Sequence, residues 1–387
     1  MKDFPLSLSV KLEERINANS LRTLPNRSGL VDFSSNDYLG FAVSSDIFKD
    51  AHQYLIENNL NDNGATGSRL ISGNHKLYNL VEEQLCAFHK CDSALIFNSG
   101  YDANIGLLSS LLQKGDIILY DEYSHASIRD GIRLSYAQAY KFRHNNIEAL
   151  KELLMRYREK ANSAAEVYIV TESVFSMDGD SPDLKAMARL ATEFGARLII
   201  DEAHALGVIG LKGEGLVQSL ELQNEVFARV VTFGKGLGCH GAAVLGTEML
   251  KSYLVNFARS FIYTTGLPPA SLATIHIAYN YLNAEDGTQK QLLNNIKFFN
   301  EELNRINLKK HFIESNSAIQ SAVIPGNDAV KIIALALQRE GFDVRAILSP
   351  TVAWGNERLR FCLHSYNIEG EITKVLELLK ANLQSRV

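Results

Sequence analysis

A lysine held between glycines, in Val230-Val-Thr-Phe-Gly-Lys-Gly-Leu-Gly-Cys-His240, is the group best placed to do covalent chemistry. Val230 to Phe233 are β-branched and aromatic, the composition of a short buried strand. Gly234 and Gly236 flank Lys235, with Gly238 and Gly241 close behind. Such a backbone can turn sharply and bring one amine against something flat and bulky. An amine so held suits Schiff-base chemistry, although a solvated loop lysine shares the local pattern. Gly236-Leu-Gly-Cys-His-Gly241 also satisfies G-x-G-x-x-G. That fingerprint needs a helix opening at its last glycine and an acid about twenty residues on. Here Ala242-Ala-Val-Leu-Gly246 is strand-like and Asn256 to Phe261 holds no Asp or Glu, which argues against a dinucleotide site.

The elements that must position Lys235 alternate in type. From residue 93 to 246 apolar runs of strand length alternate with helical periodicity, the pattern of a mostly parallel α/β sheet. Strands are predicted at Ala94–Phe97, Ile117–Tyr120, Gln138–Phe142, Val167–Val170, Leu198–Ile200 and Val230–Phe233, with helices at Asp102–Leu112, Ile147–Lys160 and Leu184–Phe194. Ser99, His125, Glu172, Asp201, His204 and Lys235 all fall just past strand ends, where ligands bind in open α/β sheets. Upstream, residues 7–24 read as an amphipathic helix stopped by Pro25 to Gly29, and His75 to Lys90 as a second. Gly64 to Gly73, rich in small hydroxyls and carrying Arg69, suits either an anion site or a flexible connection. After Pro268-Pro269 a long helical region runs to about Arg305. A smaller α+β unit follows, with strands at Ala322–Ile324, Asp343–Ile347 and Leu359–Leu363. The expected organisation is an N-terminal helix and turn over 1–40, a large domain over 41–275 and a small C-terminal domain over 276–387.

Composition narrows the functional classes. With 39 basic and 44 acidic residues the net charge is −5, which gives no general attraction to nucleic acid or an anionic membrane. No apolar run approaches membrane-spanning length, and Met1 to Val10 lack a secretory core. Four cysteines, Cys86, Cys91, Cys239 and Cys362, form no metal spacing and read as free thiols of a cytoplasmic protein. No metal site is expected.

If Lys235 forms an imine with pyridoxal 5′-phosphate, further groups are required. The ring nitrogen needs a fixed carboxylate, and Asp201 ends an apolar strand where a lone charge is costly. Capping the following turn is its other reading. The phosphate needs backbone N–H groups, offered by a helix starting after Ser99-Gly-Tyr101, and hydroxyls such as Ser176 and Thr232. His125 can stack on the ring and His204 can reach its phenolic oxygen. An amino-acid carboxylate calls for an arginine fork, for which Arg358 and Arg360 are candidates on one face of a strand.

Six ordered motifs resemble the α-oxoamine synthases over nearly the whole chain. They are Ser35-Asn-Asp-Tyr-Leu-Gly40, Gly67-Ser-Arg-Leu-Ile-Ser-Gly73, Ser124-His-Ala-Ser127, Glu172-Ser-Val-Phe-Ser-Met-Asp-Gly179, Asp201-Glu-Ala-His204 and Thr232-Phe-Gly-Lys-Gly236. The resemblance implies a fold-type-I transferase dependent on pyridoxal phosphate, with a seven-stranded, mostly parallel sheet and a smaller α+β domain. It implies condensation of an amino acid with an acyl thioester, carried on coenzyme A or a carrier protein, with loss of CO₂. A homodimer with active sites at its interface is implied as well. Lys235, His125, Asp201 and His204 would be catalytic. Gly100, Tyr101, Glu172, Ser176, Thr232 and Thr264 or Thr265 would bind cofactor, while Arg22, Asn36, His125, Thr351 and Arg360 would meet substrate. A fold-sharing inactive subunit would lack the Schiff-base lysine, so Lys235 counts against that alternative. Two departures lie near the expected acyl path: little room for a hairpin at Pro25 to Val31, and Ser349-Pro-Thr-Val-Ala-Trp354 with fewer prolines than the family carries.

Overall fold

The computed structural model describes residues 4–24, 29–158, 165–284 and 287–384. The chain opens with α1 (Leu6–Asn17), β1 (Val31–Asp32), α2 (Ser45–Glu57) and α3 (Lys76–His89). The central run is β2 (Ser93–Phe97), α4 (Gly100–Leu111), β3 (Ile117–Asp121), α5 (Ala126–Arg133), β4 (Gln138–Phe142), α6 (Ile147–Arg158), β5 (Val167–Glu172), α7 (Leu184–Glu193), β6 (Arg197–Asp201), α8 (Leu216–Ser219), β7 (Ala228–Thr232) and β8 (Ala242–Gly246). Helices α9 (Glu248–Phe257), α10 (Arg259–Ile262), α11 (Pro269–Asn283) and α12 (Thr288–Arg305) follow. The chain closes with β9 (Ile319–Val323), α13 (Asn327–Arg339), β10 (Phe342–Asp343), β11 (Arg345–Ile347), β12 (Arg358–Cys362) and α14 (Glu369–Gln384).

Two compact units result: one of Asn36–Ser176 with Ser181–Lys290, the other of Met1–Ser35, Met177–Asp180 and Gln291–Val387. The larger unit is built on a seven-stranded sheet in the order β2-β8-β7-β6-β5-β3-β4. Strands β7, β6, β5, β3 and β4 pair in parallel, and β8 runs antiparallel to both its neighbours. Side chains alternate between two buried faces. Ile118, Val170, Ile199, Val230 and Val244 pack with Ala103, Leu107 and Leu254 on one side. Ile117, Leu119, Ile169, Leu198 and Ile200 pack with Leu150, Leu154 and Met187 on the other. Burial on both faces explains why these strands read as unbroken apolar runs. All the parallel strands therefore present their carboxyl ends at one edge.

The smaller unit is α+β. An antiparallel sheet, β11-β12-β9, and a parallel pair, β1 with β10, accompany α13 and α14.

Several boundaries differ from the sequence reading. Helix α1 stops at Asn17 rather than running on to 24, because Asn19 adopts φ +47°, a left-handed conformation that asparagine tolerates. The long helical region is two helices, α11 and α12, with Gly287 at φ +90° between them. The single strand expected at 343–347 is split: β10 pairs with β1 and β11 with β12. Residues 25–28, where the sequence reading placed a chain stop and the lost hairpin, lie outside the described residues, as do the last positions expected of the helix ending at 160. Among the described residues no helix is long and apolar enough to cross a membrane.

Candidate active site

Each chemistry-bearing residue of the larger unit hangs from the sheet edge where the parallel strands end. Strand β7 ends at Thr232 and Lys235 follows three residues later. Strand β6 ends at Asp201, with His204 in the turn beyond it. Strand β5 ends at Glu172, β3 leads to His125 and β2 leads to Ser99.

Close backbone packing fixes the lysine loop. A Cβ on Gly236 would lie 2.3 Å from the Leu206 carbonyl oxygen, so only glycine lets the Lys235 loop rest against the turn that carries His204. Lys235 Nζ stands 2.8 Å from His204 Nε2, and His204 Nδ1 stands 2.7 Å from the buried Tyr38 hydroxyl. That hydroxyl donates to Asn36 Oδ1 at 3.2 Å. The direction of the chain follows from its end. A Tyr38 hydroxyl that donates to Asn36 accepts from His204 Nδ1–H, which leaves Nε2 as acceptor for a Lys235 proton.

Asp201 is buried, and both its oxygens accept hydrogen bonds. Ala203 N–H donates to Oδ1 at 2.9 Å and Asn104 Nδ2 donates to Oδ2 at 2.7 Å. Donors on both oxygens fix the orientation of the carboxylate. Its expected alternative as a cap of the following turn is thus also present, through Ala203. The His125 backbone N–H donates to Glu172 Oε1 at 2.6 Å, and His125 Nδ1 lies 2.8 Å from Ser127 Oγ. Burial pushes the His125 imidazole below its ordinary value, with the Asp201 charge opposing and the Lys235 charge adding. Burial, reinforced by the Asp201 charge, pushes the Glu172 carboxyl up to about 8.

An anion cradle lies beside these groups. Ser99 caps α4, its hydroxyl accepting from Asp102 N–H at 3.0 Å, and the first N–H groups of α4 have no partner within the helix. A Cβ on Gly100 would meet Thr232 Oγ1 at 2.6 Å, so the hydroxyl sits directly against the helix start. Thr232 Oγ1 is buried with no hydrogen-bond partner among the described residues. A buried hydroxyl left over beside a positive helix end fits a phosphate oxygen.

The remaining sequence candidates are placed as follows. Ser176 lies half-buried in the turn after β5. Tyr101 is 45% exposed and donates to Asp130 Oδ2 at 2.8 Å. Asn98 Nδ2 holds Thr264 Oγ1 at 3.0 Å and the Thr265 carbonyl at 2.7 Å. Arg69, which the sequence left between anion site and connection, stacks over Tyr78 and pairs with buried Glu82 at 2.6 Å. In the smaller unit Arg22 Nη2 donates to Thr351 Oγ1 at 3.2 Å, joining two residues 329 apart. Arg358 and Arg360 alternate along β12, and both are buried. Arg358 is engaged by Asp178 and by the Asn356 carbonyl.

Three residues of the larger site carry no role in the sequence reading: Tyr38, Asn104 and Ser127. Tyr38 and Ser127 stand within recognised motifs. Asn104 had one local signal, a polar side chain on the apolar stripe of Ala103, Leu107 and Leu108.

An amine, a fixed carboxylate, an imidazole and an anion cradle meet at one sheet edge, the set expected of a fold-type-I site for pyridoxal phosphate. The sequence profile of the class I and II aminotransferases matches residues 28–378. The chain is 38% identical to an 8-amino-7-oxononanoate synthase of Emericella nidulans, over 96% of this chain and 93% of that protein. A serine palmitoyltransferase variant from S. paucimobilis, with a PLP–myriocin aldimine bound, superposes with a TM-score of 0.86 at 25% identity, covering 98% of this chain and 97% of its own. 8-Amino-7-oxononanoate synthase from Francisella tularensis superposes at 0.78 with 28% identity, covering 93% and 99%. The chain belongs to the class I and II aminotransferase family, among its α-oxoamine synthases, and its cofactor is pyridoxal 5′-phosphate.

Proposed function

We propose that this enzyme joins L-alanine to a pimeloyl thioester to give 8-amino-7-oxononanoate, CO₂ and free thiol, a step of biotin biosynthesis. The bond from alanine Cα to its carboxylate is replaced by one to the acyl carbon. The carboxylate leaves as CO₂, and the departing thiolate takes a proton. Thioesters of coenzyme A and of acyl carrier protein both meet this chemistry.

The observation that carries the reading is the Lys235–His204–Tyr38–Asn36 hydrogen-bond chain beside a doubly held Asp201. Pyridoxal phosphate, when bound, supplies an electron-accepting ring that lowers the cost of negative charge at the substrate's Cα. Lys235 would hold its aldehyde, Asp201 its ring nitrogen and His125 its face. Ser176, Thr232 and the start of α4 at Gly100 and Tyr101 would hold its phosphate, with Thr264 or Thr265 serving the neighbouring subunit's. Lys235 can pass a proton to His204 Nε2, leaving a neutral amine to take one from Cα and later return it. Asn36 and Arg360 are assigned to the alanine carboxylate, and Arg22 and Thr351 to further substrate contact. The homodimer expected of the family belongs to the same reading. The acyl and amino-acid choice rests on the relatives named above.

Steady-state assays pairing alanine, glycine or serine with pimeloyl, acetyl or palmitoyl thioesters test it, with product mass as the readout. Alanine with pimeloyl thioester should give the highest kcat/KM. A preference for glycine with acetyl or serine with palmitoyl would move the enzyme elsewhere in the family.

A further inference from the structure

We infer that Asn104 is a positioning residue that sets two catalytic groups at once: it holds the Asp201 side chain in place and, through Ser127, fixes the proton of His125 on Nε2. The inference rests on the proposed cofactor roles of Asp201 and His125.

Asn104 is 3% exposed on α4, inside the apolar layer that covers the sheet. Its Nδ2 has two partners, Asp201 Oδ2 at 2.7 Å and Ser127 Oγ at 3.0 Å. A carboxylate only accepts, so the amide must turn its nitrogen toward Asp201. The second N–H then occupies Ser127 Oγ as an acceptor. The Ser127 hydroxyl keeps one hydrogen to give, and His125 Nδ1 lies 2.8 Å away. The Ser127 backbone N–H points at the same nitrogen from 3.2 Å. Two donors aimed at Nδ1 leave no place for a hydrogen there, so the neutral ring carries its proton on Nε2. The depressed proton affinity of His125, set mainly by burial, agrees with a neutral ring.

The consequence is a division of labour. The carboxylate that must stay charged receives a donor, and the imidazole that must stay flat and neutral receives donors on one nitrogen only. Its Nε2–H is left as the hydrogen it can offer. One amide couples these choices, so Asp201 and His125 should respond together when it is removed.

The test uses N104L, which keeps size and removes the donors, and S127A, which keeps the Asp201 bond and breaks the link to His125. Two readouts are taken beside turnover. The PLP dissociation constant is measured by adding PLP to the cofactor-free protein. The His125 tautomer is read from ¹⁵N histidine shifts of the same cofactor-free protein, assigned by the loss of its signals in H125Q. N104L should weaken PLP binding about tenfold, the scale of a lost hydrogen bond to a charge, and should give a mixed His125 tautomer. S127A, which leaves only the 3.2 Å backbone N–H on Nδ1, should raise the Nδ1–H population with PLP binding nearly unchanged. Folded N104L with wild-type affinity and an Nε2–H tautomer overturns the proposal. If N104L does not fold, S127A with an unaltered tautomer overturns it alone. Wild-type protein that takes up no PLP would instead overturn the cofactor roles, and the tautomer result would still stand on its own.

Discussion

Thr232 and Glu172 show at the residue scale how a site can be poor for stability and good for binding. The Thr232 hydroxyl is buried with no partner among the described residues, a state that costs about 1–3 kcal/mol. T232V should therefore leave the cofactor-free protein as stable as wild type or slightly more so. The same change should weaken PLP binding several-fold; thermal unfolding and a PLP titration check the two halves. Glu172 carries a pH signature. Its carboxyl is raised from 4.5 to about 8 by burial and then by the Asp201 charge. The folded chain thus binds more protons than the unfolded chain between those values. Its contribution to stability is fully present below about 4.5 and is lost as pH rises through about 8. In cofactor-free protein the melting temperature of wild type should fall over that window relative to E172Q. Parallel pH profiles of the two proteins would contradict this.

At the scale of elements, Glu82 of α3 ties several segments of the larger unit together. It accepts from Arg69 Nη1 at 2.6 Å and from Ile96 N–H of β2 at 3.1 Å, and it pairs with Lys251 of α9 at 2.9 Å. Removing one partner of a buried ion pair costs about 3–5 kcal/mol, and Lys251 stays in place, so R69A should fall near 3 kcal/mol in urea unfolding. A loss below about 1 kcal/mol would show that Arg69 is not the main partner. This pair was not legible in the sequence, since nothing local links a glycine-rich loop to a glutamate 13 residues on. The strands were legible, because burial on both faces leaves unbroken apolar runs. The sequence pattern predicts no helix over α2, α5 or α9, although Ser44 and Thr247 cap α2 and α9 by accepting from Ile47 and Leu250 N–H. Of the site, Lys235, Asp201, His125 and His204 could be found because each ends or follows a strand. Tyr38 and Asn104 act through tertiary contacts over 166 and 97 residues, and no spacing rule reaches so far.

At the scale of the molecule, the helix α1 has no buried residue, and Leu6, Leu8, Leu12 and Ile16 are exposed on it. Apolar surface of that kind commonly marks an interaction face. Together with the proposed homodimer it predicts a solution mass twice the 43.0 kDa of one chain by light scattering. A monomer at micromolar concentration would contradict the dimer and leave the larger unit's chemistry standing.

One amine, Lys235, is proposed to hold the cofactor at the edge of the seven-stranded sheet. Borohydride reduction of the yellow holoenzyme followed by peptide mass spectrometry tests it most directly. The pyridoxyl-phosphate mass should appear on the peptide carrying Lys235 and vanish in K235A. A label on another lysine, or none in a protein that still binds PLP and turns over, would contradict the account.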